Sequence, residues 1–174
     1  MKNRQATTIT EAWQKIHNKC KKAGVAPTTW VLDNEKSVIL EDLFAEAEVT
    51  FELVAPYTHQ ANLAERAIRT FKAHFKSGLA TTHPNFPMSQ WNLLLPQTII
   101  TLNLLRSACI NQNLSVHAYM NGNFDFNSTP LLTPGTKIVA HQIPDNRNTW
   151  DLNGENGWYV GPSLNHYRCV QITD

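Results

Sequence analysis

Cysteine is scarce in this 174-residue chain, and the little there is does not cluster. Cys20, Cys109 and Cys169 stand far apart, are odd in number and form no CxxC. That pattern speaks against a disulfide framework and a cysteine-rich zinc site, and leaves reduced, partly buried thiols as the expectation. Long apolar runs are missing as well: none reaches the roughly 20 residues that a membrane helix needs. Met1 to Gln5 are polar and lead into threonines, so no secretory leader is read there. An intracellular soluble protein without a membrane partner is expected. Charge of one sign is also absent. Fifteen Lys and Arg face fourteen Asp and Glu, a formal net charge of +1, so bulk charge names no partner. Any nucleic-acid surface must then come from local clustering. His59, His74, His83, His117, His141 and His166 are scattered, with no H-x-x-x-H, which argues against zinc. No internal repeat is visible.

What is present is enough for a folded core. Apolar residues make up 42% of the chain and five are Trp, while only 17% are charged, a balance opposed to disorder. Thr8 and Glu11 read as a T-x-x-E capping box. Ile9, Ala12, Trp13, Ile16 and Cys20 follow on one helical face. Lys15, Lys19, Lys21 and Lys22 gather toward the helix end, where cations suit the dipole, and Gly24 is a natural stop. Thr28 to Leu32 reads as a buried strand ending in Asp33. A short helix over 37–44 and a strand through Val49, Phe51 and Leu53 complete a βαβ pattern with parallel strands.

Residues 55–60 read as a loop, and a helix is predicted from Ala61 to about Ser77 with Ala64, Ile68, Phe71 and Phe75 as its apolar stripe. Gly78 and the His83-Pro84-Asn85-Phe86-Pro87 stretch are read as breaks. A buried helix follows from about Ser89 to Cys109, in which Pro96 kinks the chain or sets the true start. Residues 111–135 are rich in Asn, Ser, Thr, Pro and Gly and read as a connector. Lys137–Ala140, Gly157–Gly161 and Tyr167–Ile172 then read as short strands of a small β barrel or sandwich. The Trp residues read as core, with Trp150 and Trp158 open to a base-stacking role as well.

Two carboxylates stand out by position. Asp33 closes a strand and Glu65 lies in the first turns of the long helix. A strand end and a nearby helix can bring side chains to one metal-sized volume, and hard divalent cations take such oxygen ligands. Two such metals activate a water or a 3′-hydroxyl and stabilise the leaving oxygen of a phosphodiester. The plainer reading is that most of the fourteen acidic residues, including Glu41, Asp42, Glu46, Glu48 and Glu52, are surface solubility groups. After Glu65 come Arg66, Arg69, Lys72 and Lys76. Glu65, Arg69 and Lys72 fall on one stripe, fit to hold metal at one end and a phosphate backbone along the rest. An ordinary Glu–Arg pair on a wet helix face accounts for the same spacing, and the spacing leaves both readings open.

The segment Val54-Ala55-Pro56-Tyr57-Thr58-His59-Gln60-Ala61-Asn62-Leu63-Ala64-Glu65-Arg66 resembles the P-x-x-x-x-x-N-x-x-x-E-R segment of integrase catalytic cores in copia-like LTR retrotransposons. There the Glu is the last member of the D,D-35-E triad. Leu32-Asp33-Asn34-Glu35 is similar to the family's T-D-N-G segment, whose Asp is the second member, with Leu32 in place of Thr and Glu35 in place of Gly. Glu65 follows Asp33 by 32 residues, close to that interval. Pro134 to Val139, Gly157 to Pro162 and His166 to Cys169 are similar to the small SH3-like β domain that follows such cores. The resemblance covers nearly the whole chain. It implies an α/β fold: an RNase H-like integrase core lacking its first strands over 1–110, a connector over 111–133, and an all-β SH3-like domain over 134–174. It also implies Asp33 and Glu65 as catalytic metal ligands, Mg²⁺ or Mn²⁺ in the complete enzyme, and 3′-end processing and DNA strand transfer as its reaction. Arg66, Arg69, Lys72 and Lys76 then meet DNA, and Gln60 and Asn62 belong to the loop before the catalytic helix. The implied partners are retrotransposon ends and target DNA, the remainder of a polyprotein, and further copies in an intact integrase, with integration taking place in the nucleus.

The triad's first Asp belongs to a strand upstream of the opening helix. Glu11 is the only carboxylate before Asp33, and as part of a capping box it does not replace it. The chain is thus expected to be what remains of an integrase, begun at an internal Met and unable to hold a metal pair stably by itself. A non-catalytic nucleic-acid-binding module is the alternative, and a protein-docking β tail a third reading, which would show weak, salt-independent DNA binding. With the first Asp and the opening strands missing, the isolated chain is expected to lack strand transfer and to aggregate through open strand edges. Strand transfer on a model DNA end by the purified chain with Mn²⁺ would overturn this expectation.

Overall fold

A computed structural model of the chain describes residues 5–32, 37–54, 63–141, 145 and 148–174. The architecture is mixed α/β, with two compact units, Met1–Ile68 and Arg69–Asp174. The order is α1 Ala6–Lys22, β1 Thr29–Leu32, α2 Val38–Glu46, β2 Thr50–Leu53, α3 Leu63–Ala80, a 3-10 helix Met88–Leu94, α4 Leu95–Leu105, α5 Val116–Asn121, β3 Lys137–His141, β4 Gly154–Pro162 and β5 Val170–Thr173. Among the described residues no helix is long and apolar enough to cross a membrane.

In the first unit, β1 and β2 pair in parallel, with Trp30 opposite Phe51 and Leu32 opposite Leu53. Parallel strands need a crossover connection, and α2 supplies it. Trp13 of α1 and Leu40 and Phe44 of α2 form the buried core, against which Trp30, Leu32 and Phe51 pack from the strands. Trp13 meets Phe44 edge-on at 4.9 Å and Trp30 at 5.8 Å. Each such buried aromatic contributes about 2–3 kcal/mol, which a two-stranded sheet needs, being marginal alone. The other strand face carries Thr29, Val31, Thr50 and Glu52, all exposed; Thr29 and Thr50 join hydroxyls across it at 2.9 Å.

The helix ends differ from expectation at the start of α1 and agree at its close. Gln5, not Thr8, is the N-cap, and its side chain makes no cap bond; Thr8 and Glu11 both lie inside the helix, so the capping box does not form. Ile16 on the predicted apolar face is 53% exposed, while Thr10 is buried with its hydroxyl bonded to Thr7 O. At the other end Gly24 adopts φ +72°, and the N–H groups of Gly24 and Val25 reach back to Lys21 O and Cys20 O. This is a Schellman stop. α2 ends in the same motif, Glu48 and Val49 donating to Ala45 O and Phe44 O, but the left-handed position is held by Glu48 at φ +55°.

The second unit sets helices against an antiparallel sheet in the order β3-β4-β5. Phe86, Leu94 and Val160 form its core, with Phe75, Leu79 and Trp158 around them. Strand residues expected in a separate β domain therefore share a core with residues of the preceding helices. Tyr159 is wholly buried, and burial pushes its hydroxyl above the ordinary tyrosine range, offset in part by the hydrogen bond from Leu132 N. Gly135 stitches the two parts together: its N–H donates to Tyr159 O and its carbonyl accepts from His83 N.

Several readings of the sequence are corrected in this unit. α3 runs through Gly78 to Ala80, because a single glycine costs a helix only about 1 kcal/mol. The predicted helix of 89–109 is a 3-10 helix followed by α4, whose start Pro96 occupies. α4 is not buried on its apolar sides: Ile99 and Leu105 are exposed, and the polar Gln97 and Thr98 are buried. The connector holds α5, capped by Ser115 accepting from Ala118 N, and a turn in which Asp125 accepts from Asn127 N and Ser128 N. Those two bonds, with one from the Ser128 hydroxyl, hold the Asp125 carboxyl below its usual range. The third tail strand is shorter than predicted, because Tyr167 is exposed and Arg168 takes φ +54°.

Two substitutions test this backbone in opposite directions. Glu48→Gly relieves a left-handed non-glycine residue and is expected to stabilise the chain by about 0.5–1 kcal/mol. Gly135→Ala puts a Cβ 2.8 Å from Thr82 Cγ2 at φ +69° and is expected to cost more than about 2 kcal/mol. Urea unfolding of both variants checks the pair; equal midpoints would contradict it.

Candidate metal and nucleic-acid site

The helix that carries the predicted residues begins next to the strand pair. Leu63 and Ala64, the first residues of α3, line a cavity of about 560 Å³ with Trp30, Val31, Leu53 and Val54. Glu65 follows in that first turn and is exposed. A carboxylate in the first turn sits well with the positive end of the helix dipole. The chain leaves β1 after Leu32 and β2 after Leu53, residues paired with each other, and Val54 N donates to Leu32 O. Both strands thus end at the same, carboxyl, edge, which is where open α/β sheets carry their sites. Asp33, Gln60 and Asn62 lie outside the described residues; Leu32 is the described residue immediately before Asp33.

Arg66, Arg69, Lys72 and Lys76 all lie on α3 and are exposed. At about 100° per residue, Glu65, Arg69, Lys72 and Lys76 fall within an arc of about 60°, and Arg66 stands about 60° to one side of Arg69. The stripe from Glu65 to Lys76 is about 16 Å long, or about five base-pair steps of duplex. Next to it run Ile68, Phe71 and Phe75, of which Ile68 is half exposed and Phe71 stacks on Phe75 at 6.1 Å. The amphipathic pattern therefore places the cations on a continuous outer face.

Among the described residues no group of three or more His, Cys, Asp or Glu side chains is gathered for a metal. Glu65 offers an exposed carboxylate, and the second candidate, Asp33, is not among those residues. Of the tryptophans, Trp158 packs edge-on to Phe86, whereas Trp150 is 96% exposed. It stands in a turn held by Asp151 Oδ2, which accepts from both Asn148 N and Asn148 Nδ2.

Two features went unseen in the sequence. His17 stacks on Trp13 at 4.8 Å, and its i+4 spacing from Trp13 was the signal available. A second cavity, in the Arg69–Asp174 unit, gathers His74, Gln97 and Thr101. Nothing local announces it, since its walls come from segments some 35 residues apart, as in the 2.6 Å bond from Gln97 Nε2 to Leu132 O. No protein-family model matches the chain, and no curated protein matches it.

The exposed cations give a quantitative expectation for DNA binding. Replacing Arg69 and Lys72 by Ala should lower the slope of log affinity against log salt by about 2, since each phosphate contact contributes about 0.9. Titrations of duplex DNA across a salt series measure it, and an unchanged slope would take these residues out of the interface.

Proposed function

We propose that this chain is part of a retrotransposon-type integrase, combining a section of an RNase H-like catalytic core with an SH3-like β domain. It binds DNA along α3 and contributes Asp33 and Glu65 to the metal site of the complete enzyme. The single observation that carries this reading is the position of Glu65. It opens a helix whose first turn lies against a parallel strand pair, and Asp33 directly follows one of those strands. The crossover helix between β1 and β2 and the antiparallel sheet of the tail support the two fold assignments at the level of α/β class.

Carboxylate oxygens are the donor set that Mg²⁺ or Mn²⁺ selects, and an exposed Glu65 is free of competing burial. Asp33 and Glu65 would hold the ions. Bound there, divalent metal supplies activation of a water or 3′-hydroxyl and charge stabilisation on the leaving oxygen of a phosphodiester. The chain's own part is positional. Arg69, Lys72 and Lys76 hold the phosphate backbone in register with the acidic end of the helix, and Arg66 reaches it from the side. Two carboxylates without the third of the triad leave a metal pair under-coordinated, so activity belongs to the completed core and DNA binding to this chain.

Glu65→Gln separates the catalytic reading from a non-catalytic nucleic-acid module. In a core completed with the upstream triad strand, the variant should lose strand transfer by at least about a thousandfold, as expected where charge on a metal ligand is removed. DNA affinity should be retained. Full strand transfer by the variant would remove Glu65 from the chemistry and favour the binding module.

A further inference from the structure

We propose that the cavity between the C-terminal half of α3, α4 and residues 131–134 is a binding site for a neutral, amino-bearing heterocycle. It measures about 450 Å³ and is lined by His74 and Gly78 of α3, Thr81 just past its end, Gln97 and Thr101 of α4, and Leu131 to Pro134. That volume is in the range of small-ligand clefts.

Gly78 is the first sign. It lies inside α3, where glycine is unfavourable, yet its φ is ordinary and an added Cβ would meet nothing within 4 Å. Neither backbone conformation nor packing within the chain calls for glycine there. A glycine at this point leaves the helix surface bare, so that a ligand can approach the backbone closely.

The hydrogen-bond inventory says what kind of group approaches. The Thr101 hydroxyl lies 3.1 Å from both Gln97 O and Thr98 O, so its one proton is committed to backbone carbonyls. His74 Nε2, at 3.0 Å from the same oxygen, must therefore be the donor. With the Thr101 proton on a carbonyl, the ring donates through Nε2–H, which in the neutral imidazole leaves Nδ1 as the acceptor. On the same lining, Gln97 Oε1 is buried without a hydrogen-bond partner. Thr81 also spends its proton inward, on Gly78 O at 2.8 Å, and Gln97 spends an amide proton on Leu132 O. Of the lining hydroxyls, Thr133 alone keeps an uncommitted proton. An orphaned acceptor, Gln97 Oε1, thus stands beside two remaining donors, the second Gln97 N–H and the Thr133 hydroxyl, a mix that suits an amino group next to a ring nitrogen.

No Asp or Glu lines it. An ammonium or guanidinium would enter without a counter-charge, at a desolvation cost that a neutral amino group avoids. Leu131, Leu132 and Pro134 supply an apolar wall for a flat ring. On α3, His74 and Gly78 lie roughly opposite the Glu65–Lys76 stripe by helical angle, so the site is separate from the proposed DNA face. An exocyclic amino group on a purine or pyrimidine ring meets these conditions, either as a free nucleoside or as a base in a single strand.

Adenosine, purine riboside, which lacks only the amino group, and the dimethylamino analogue, which keeps its bulk without donors, test this on the full chain by calorimetry and NMR. Adenosine should bind at least about tenfold more tightly than either analogue, as expected when one donor–acceptor pair is lost. Shifted amides should centre on α3 and residues 131–134. Gly78→Leu should abolish binding while leaving the unfolding temperature unchanged or raised, and His74→Phe should erase the difference among the three ligands. A short deoxyadenosine strand that shifts the same amides would mark a base in a strand as the source, and nucleoside binding alone a free heterocycle. Equal affinity for all three ligands, no binding up to about 10 mM, or undiminished binding by Gly78→Leu would overturn the proposal.

Discussion

Parallel pairing of β1 with β2 is the constraint on which the first unit depends. It forces a crossover, and α2 makes that crossover with one apolar face turned to the strands. It also sends both chain segments out at one edge, so whatever follows Leu32 and Val54 starts from neighbouring points. The Trp13–Phe44–Trp30 cluster holds this arrangement, and at some cost: the indole nitrogens of Trp13 and Trp30 and Nδ1 of His17 are buried without hydrogen-bond partners. Each orphan costs about 1–3 kcal/mol, which the aromatic burial must exceed.

The same pair leaves one face uncovered. Parallel strands normally have both faces packed, yet Val31 is 58% exposed and Leu63, at the start of α3, 70% exposed. Ile68 is half exposed on the same helix. Val31 and Leu63 line one cavity, and exposed apolar groups that meet in this way mark a place where further protein or a ligand packs.

In the second unit the decisive contact is between sheet and helices. Val160 on β4 enters the layer that also holds Phe86 and Leu94, and Gly135 permits the close approach that Thr82 would otherwise block. Burial of Gln97 belongs to this packing. Its amide reaches Leu132 O, so a polar residue occupies the interior while Ile99 and Leu105 of the same helix face outward. A reading of α4 by apolar content alone inverts which residues are inside.

The sequence by itself determined the element types along most of the chain, the parallel βαβ unit, the Gly24 stop, Pro96 as either a kink or a helix start, and the cationic stripe after Glu65. These are local: they depend on periodicities and caps that span a few residues. The distinctive Pro56-to-Arg66 segment also made the resemblance legible, although much of it lies outside the described residues. Only the tertiary structure decided that Gln5 rather than Thr8 caps α1, that Gly78 stays within α3, and that the tail strands share a core with the helices. Packing energy outweighs a capping preference or a glycine penalty of about 1 kcal/mol, and it is summed over residues far apart in sequence. The His74 cavity is of that second kind. Its hydrogen-bonding character follows from which proton each hydroxyl has already given away, and that is settled by neighbours the sequence does not place side by side.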